Sequence, residues 1–204
     1  MYRDTLDSVA RLSATAQQVL RFVGVLALAA FNHDLVAETI ELAEEDARRA
    51  LGELVNYGVL VPQQSRYEVS HPLIHTYARQ ARLSGEGATQ QAALIARLVM
   101  VLTEHFPQVD HANWEACERL VPHIQAVAAH LEQQSTAQAE AAALFNQAGW
   151  YLQARARYEQ AAPLYRRALA ICEQELGANH PSTQMVRQNY TSLLQAFSPR
   201  NEQH

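Results

Sequence analysis

His71 and His75 stand four residues apart in the run His71-Pro72-Leu73-Ile74-His75, and on a helix that spacing turns two imidazoles to one side, as a divalent metal site needs. The glutamate that a zinc-protease pattern places beside its first histidine is missing, and no third ligand stands nearby, so no metal site is expected. His75 is expected at the surface or in a groove. His111, Cys117, His123 and His130 fall on or near one helical stretch at spacings of six, six and seven. Ligands that share a helix face need spacings of three or four, so these four read as packing and surface positions. Cys172, beside Ile171 and near Leu169, reads as a buried, inert thiol. No Ser, His and Asp set is attached to a strand-to-helix elbow. The chain has no lysine: all 16 basic side chains are arginines. That excludes a Walker-type phosphate loop, a Schiff-base lysine and a kinase-type lysine together. The expectation is a chain that is not an enzyme, with no catalytic residue and no cofactor.

A chain of 204 residues has room for one large domain or two small ones. Apolar residues make up 49% and aromatics 7%, so the core must be rich in Ala and Leu, which suits packed helices. A net charge of −5 speaks against a dominant nucleic-acid surface. Cys117 and Cys172 are the two cysteines, far apart in helical patterns, and a reducing compartment is the default. The polar, charged start from Met1 to Asp7 is no signal peptide, and the longest apolar run, Phe22 to Phe31, is too short for a membrane span. A cytoplasmic protein is expected.

In chain order, apolar spacing predicts a helix over Leu12 to Leu28 with Ser13 as its N-cap, and a short one over Leu35 to Leu42. A third begins at Glu44-Glu45-Asp46, where the macrodipole favours acids, and stops at Tyr57-Gly58. The period then changes. Val59 to Pro62 and Arg66 to Ser70 read as two short strands around a turn at Gln63 to Ser65, and a helix resumes at Pro72. Three helices, a small hairpin and a closing helix make a winged-helix pattern.

The stretch LVNYGVLVPQQSRYEVSHPLIHTYAR resembles the winged-helix subdomain that follows the nucleotide-binding module in NB-ARC and other STAND signalling ATPases. Ser70, His71 and Pro72 stand where that family carries Met-His-Asp, so the histidine alone is shared; bacterial relatives with His-Pro-Leu look similar. The resemblance implies that His71 senses the β-phosphate of bound ADP when a nucleotide-binding core is present; the other reading of His71 is a capping or packing residue.

Ser84 to Gly87 is the clearest linker. Helices are predicted over Ala88 to Phe106 and Asn113 to Gln134, the second interrupted by Pro122 at a cost of about 3 kcal/mol in a regular interior. Its Trp114-x-x-Cys117-x-x-Leu120-x-Pro122-His123 run is similar to the spacer hairpin of bacterial NB-ARC–TPR proteins. Gln133 to Thr136 is the next break, and Ala137 to Leu152 opens a repeat region.

From Leu144 to Pro181 small residues recur at Gly149, Ala161 and Ala168 with Tyr158 and Tyr165 between them, and Gly177 and Pro181 stop the second helix. A helix can approach its neighbour closely where such small side chains face it. These offsets resemble a tetratricopeptide (TPR) repeat, and ARYEQAAPLYRRALAICEQELGANHPST looks like the kinesin-light-chain type. A further helix after Ser182 reads as half a following repeat, whose Tyr190, Leu193 and Leu194 would want a cover.

The fold class expected is mainly α: a winged-helix domain over 1–83, a helical spacer hairpin over 84–134, and one full TPR-like repeat plus a half over 135–204. In a TPR the first helix of each repeat lines the inner surface, which makes Asn146, Trp150 and Asn189 peptide-binding candidates; Trp150 would serve equally as core. Gly149, Tyr158, Ala161, Tyr165 and Ala168 are the repeat-packing set. Arg155, Arg157, Arg166 and Arg167 would either ring a groove for acidic peptides or form a solvated face. The function implied is a protein–protein interaction and signalling module that holds a partner or a second copy through its repeats. On the resemblance it is the C-terminal region of a STAND NTPase, without the nucleotide-binding core, or a short stand-alone relative. The alternative is a winged-helix transcriptional regulator with the repeats as sensor. DNA binding is disfavoured because Arg48 and Arg49 face Glu44, Glu45, Asp46 and Glu53 on the third helix, and the wing offers Arg66 alone. No membrane contact is expected.

Overall fold

A computed structural model describes residues 11–81, 87–134 and 139–201. The chain is mainly α and divides into two compact units, Met1–Val101 and Leu102–His204.

In the first unit, α1 (Ala14–Val23) buries Ala16, Val19, Leu20, Phe22 and Val23 on one stripe. Ser13 caps it as expected, its hydroxyl oxygen accepting from the Ala16 N–H at 3.2 Å. Ser13 also donates from both its backbone N–H and its hydroxyl to the Glu53 carboxylate, at 2.7 and 2.6 Å. α1 stops at Val23 rather than running to Leu28. At Gly24 the backbone lies so close to a later helix that a Cβ would meet the Ala78 carbonyl carbon at 2.6 Å. The chain turns there and delivers a two-residue strand, β1 (Phe31–Asn32), that period reading does not predict.

Asn32 caps α2 (His33–Ile40), accepting from the Leu35 N–H at 3.1 Å. α3 (Glu44–Asn56) carries its three acids in the first turn and ends before Gly58, whose φ of +69° needs a residue without Cβ. β2 (Leu60–Gln63) and β3 (Arg66–Val69) pair antiparallel with Leu60 opposite Val69 and Gln63 opposite Arg66. β1 joins the other edge of β3, Phe31 opposite Tyr67, giving the order β1-β3-β2. α4 (Pro72–Ala81) follows with proline at its start. The core of this unit gathers Val19, Phe22, Val36, Leu51, Leu54 and Val59, none of them exposed.

Of the expected linker, Ser84 to Glu86 lie outside the described residues, and Gly87 opens α5 (Gly87–His105). In the second unit a short 3-10 turn (His111–Asn113), capped by Asp110, leads into α6 (Trp114–Gln134). Pro122, expected to kink the helix or start a new turn, lies inside α6, which is assigned as one helix through it. Val121, Ile124 and Val127 around the proline are fully buried, and that burial offsets the hydrogen bond its ring cannot donate. Of the break expected at Gln133 to Thr136, Gln133 and Gln134 belong to α6; Ser135 and Thr136 lie outside the described residues.

α7 (Ala139–Ala154) and α8 (Tyr158–Glu175) form an antiparallel hairpin, and α9 (Pro181–Asn201) follows after Gly177, whose φ is +85°. α9 lays Val186 and Leu193 into the core at 2% and 1% exposure. Leu193, expected to await a cover, is therefore already covered within the chain; Leu194, at 45%, stays exposed. Two helices begin with the same His-Pro pair. The His71 Nδ1 accepts from the Leu73 N–H at 3.1 Å, and the His180 Nδ1 accepts from the Ser182 N–H at 3.2 Å. Each imidazole takes the place that Ser or Asn occupies at other helix starts.

Candidate functional site

α7 has a buried side and an exposed side, and the two do different work. Phe145, Ala148, Gly149 and Leu152 face the core. Gly149 touches α8 so closely that an added Cβ would meet the Tyr165 ring at 3.1 Å. Ala161 and Ala168 on α8 are fully buried, so the small residues do admit the partner helix. Tyr165 is buried between them, and its hydroxyl donates to the Gln153 Oε1 at 3.0 Å. Burial pushes its phenol far above the usual tyrosine range. Its ring lies 6.4 Å from that of Tyr190, and Tyr158 meets Phe197 edge-on at 6.4 Å, so both tyrosines bind α9 to the hairpin.

The exposed side of α7 carries Glu140, Ala143, Gln147, Trp150 and Ala154. Trp150 is half exposed, at 50%, and is not core. Asn146, one turn before it, accepts a 3.0 Å hydrogen bond from the Nδ2 of Asn189 on α9. Asn146, Trp150 and Asn189 are thereby brought to one face shared by α7 and α9. Met185, one turn before Asn189, is 53% exposed and extends that face; no partner-contact pattern in the sequence pointed to it.

The four arginines of the hairpin lie elsewhere, turned toward α6. Arg155 stacks over the Trp114 ring at 4.4 Å, with His111 against the same indole at 4.0 Å. Arg157 binds both oxygens of Glu118 at 2.7 Å. Arg166 lies 3.9 Å from Glu132, and Arg167 donates to the Leu131 carbonyl at 2.8 Å. Tyr151 donates to Glu118 at 2.6 Å. That bond, with Arg157 beside it, holds the Glu118 carboxyl below the usual carboxylate range, although partial burial works the other way. The Tyr151 phenol is pushed up to about 12, mainly by burial and then by the neighbouring carboxylate. Trp114 and Glu118, four apart on α6, thus hold the turn between α7 and α8.

In the first unit His71 is exposed and caps α4, whereas His75, expected near the surface, is buried and donates from Nε2 to the Leu26 carbonyl at 2.9 Å. Cys117 and Cys172 are buried thiols whose ionisation burial opposes. His123 and His130 are buried at 1% and 3%. Among the described residues no three His, Cys, Asp or Glu side chains are grouped to hold a metal, and no helix is long and apolar enough to cross a membrane.

The family model for the tetratricopeptide repeat matches residues 141–182, which takes in α7, α8 and the start of α9. No curated protein and no solved structure matches the chain.

Proposed function

We propose that this chain is a non-enzymatic interaction module whose α7–α9 face holds an extended segment of a partner protein. TPR-type repeats are characteristically protein-binding, and the match over 141–182 supports that class. The single observation that carries the reading is the Asn189–Asn146 hydrogen bond beside a half-exposed Trp150. Large aromatics that remain exposed next to oriented amides are the common anchors of peptide recognition. Selection of a displayed random-peptide library on the chain tests it: enriched peptides should lose affinity for Asn146→Ala, Asn189→Ala and Trp150→Ala. Peptides that bind all three variants as well as the parent would sink the reading. A second copy as occupant would appear instead as a concentration-dependent mass in light scattering.

The finer reading assigns 1–83 to a winged-helix domain, 84–134 to a spacer and 135–204 to the repeats, in the cytoplasmic, regulatory C-terminal region of a STAND-type ATPase. Supporting it are the order α1-β1-α2-α3-β2-β3-α4 and the antiparallel β1-β3-β2 sheet. On this reading His71 faces the β-phosphate of ADP only when a nucleotide-binding core is present. A transcription-factor role is the weaker alternative, because Arg48 binds Glu44 at 2.6 Å and Arg49 binds Asp46 at 2.8 Å, so neither cation is spare for phosphate.

A further inference from the structure

We infer that the segment held on the α7–α9 face is uncharged and carries an aromatic or long aliphatic side chain that seats against Trp150, an inference that rests on the interaction reading above. The hairpin is not short of cations, but α6 consumes them. Arg155, Arg157 and Arg167 are bound to Trp114, Glu118 and the Leu131 carbonyl, and Arg166 leans to Glu132. On α9, Arg187 is paired with Glu173 at 2.7 Å. What remains on the exposed side of α7 is Ala143, Gln147, Trp150 and Ala154, with Glu140 alone at its beginning. An acidic segment would therefore be desolvated without a counter-charge, which costs more than it returns.

The amide pair fits a neutral chain. Asn189 donates through Nδ2 to the Asn146 Oδ1, which leaves the Asn146 Nδ2 as a donor and the Asn189 Oδ1 as an acceptor. One donor beside one acceptor complements the C=O and N–H of a peptide backbone, and it favours neither sign of charge. Met185 and Trp150, one turn from each asparagine, give apolar contact on either side of that pair, both about half exposed.

The test uses the same library on the full chain, with affinities of the enriched peptides read by fluorescence anisotropy at low and high salt. Expected are peptides without net charge that carry Trp, Phe, Tyr, Leu or Met. Their Kd should change less than about twofold between low and high salt, and Trp150→Ala should weaken them about tenfold or more. Trp150 is half exposed, so retained helicity by circular dichroism would confirm that this variant still folds. Enrichment of acidic or basic peptides whose affinity collapses in salt, yet still depends on Trp150, would overturn the charge inference and leave the interaction reading standing. Enriched peptides indifferent to Trp150 and Asn146 would overturn the interaction reading itself.

Discussion

Gly149→Ala pits two effects of similar size against each other, and the structure decides the sign. Replacing a glycine inside α7 should gain about 1 kcal/mol of helix propensity. Against this, the new methyl would sit 3.1 Å from two carbons of the Tyr165 ring and 3.2 Å from a third. The ring has no room to retreat, being fully buried, tied through its hydroxyl to Gln153 and backed by Tyr190. Overpacking of that kind costs about 1–3 kcal/mol, so the net expectation is a loss of about 1 kcal/mol. Both tryptophans, Trp114 and Trp150, lie in the second unit, so intrinsic fluorescence during urea unfolding reads that unit selectively. The midpoint should fall by about 0.5 M urea. In a Tyr165→Leu background the crowding is gone, and Gly149→Ala should then raise the midpoint. If it raises the midpoint with Tyr165 in place, close approach is not the reason for glycine there.

Two other glycines give an opposed pair: Gly24→Ala drives a methyl into backbone atoms of Ala78 and Arg79 at 2.6–2.8 Å and should disrupt the first unit, whereas Gly52→Ala meets nothing within 4 Å and should stabilise α3 by up to about 1 kcal/mol, both read by thermal melts. Ser13→Ala should cost about 1 kcal/mol through the lost cap of α1. Glu118→Gln should lower the stability of the second unit by about 0.5–1 kcal/mol at neutral pH, a figure kept small because its side chain is half exposed and screened. The folded-state carboxyl lies below the unfolded value, so the contribution is present at neutral pH and is lost as pH falls through the folded value; the gap between parent and variant in urea melts should close in acid. The same carboxylate and burial hold the Tyr151 proton, so folded-state stability should fall as pH rises from about 10, the ordinary phenol value, to about 12, and Tyr151→Phe should remove that residue's share of the loss, leaving the share of the buried Tyr165.

The repeat was the most legible part of the chain because its signals are local. Gly149, Ala161, Ala168 and Gly177 report one helix pair and its stop, and each does in the fold what its spacing implies, whereas Pro181 opens α9 rather than ending α8. The Ser13 cap and the strands around Gln64 were legible for the same reason. Long-range pairings were not. β1 is two residues long and its partner Tyr67 lies far along the chain, so no periodicity announces it. His75 looks like a surface residue until the Leu26 carbonyl arrives over it. The arginines of α8 read as groove or solvent because the helix that engages them, α6, precedes the repeat and carries Trp114 and Glu118 at positions no repeat pattern specifies. At the candidate site, repeat position brings Asn146, Trp150 and Asn189 together on one face, and no pattern around Met185 announces that it extends that face.

The paired His-Pro helix starts set two helix beginnings of this chain apart by the side chain that closes them. At α4 and α9 an imidazole Nδ1 accepts from the N–H two residues on. Ser13 and Asn32 cap α1 and α2 with oxygen atoms and reach the N–H three residues on. His180→Ala therefore leaves the Ser182 N–H without that acceptor and loosens the first turn of α9. That turn opens the helix that carries Asn189, so the substitution would reach the candidate face from its edge, through the start of α9, without touching a residue of the face itself.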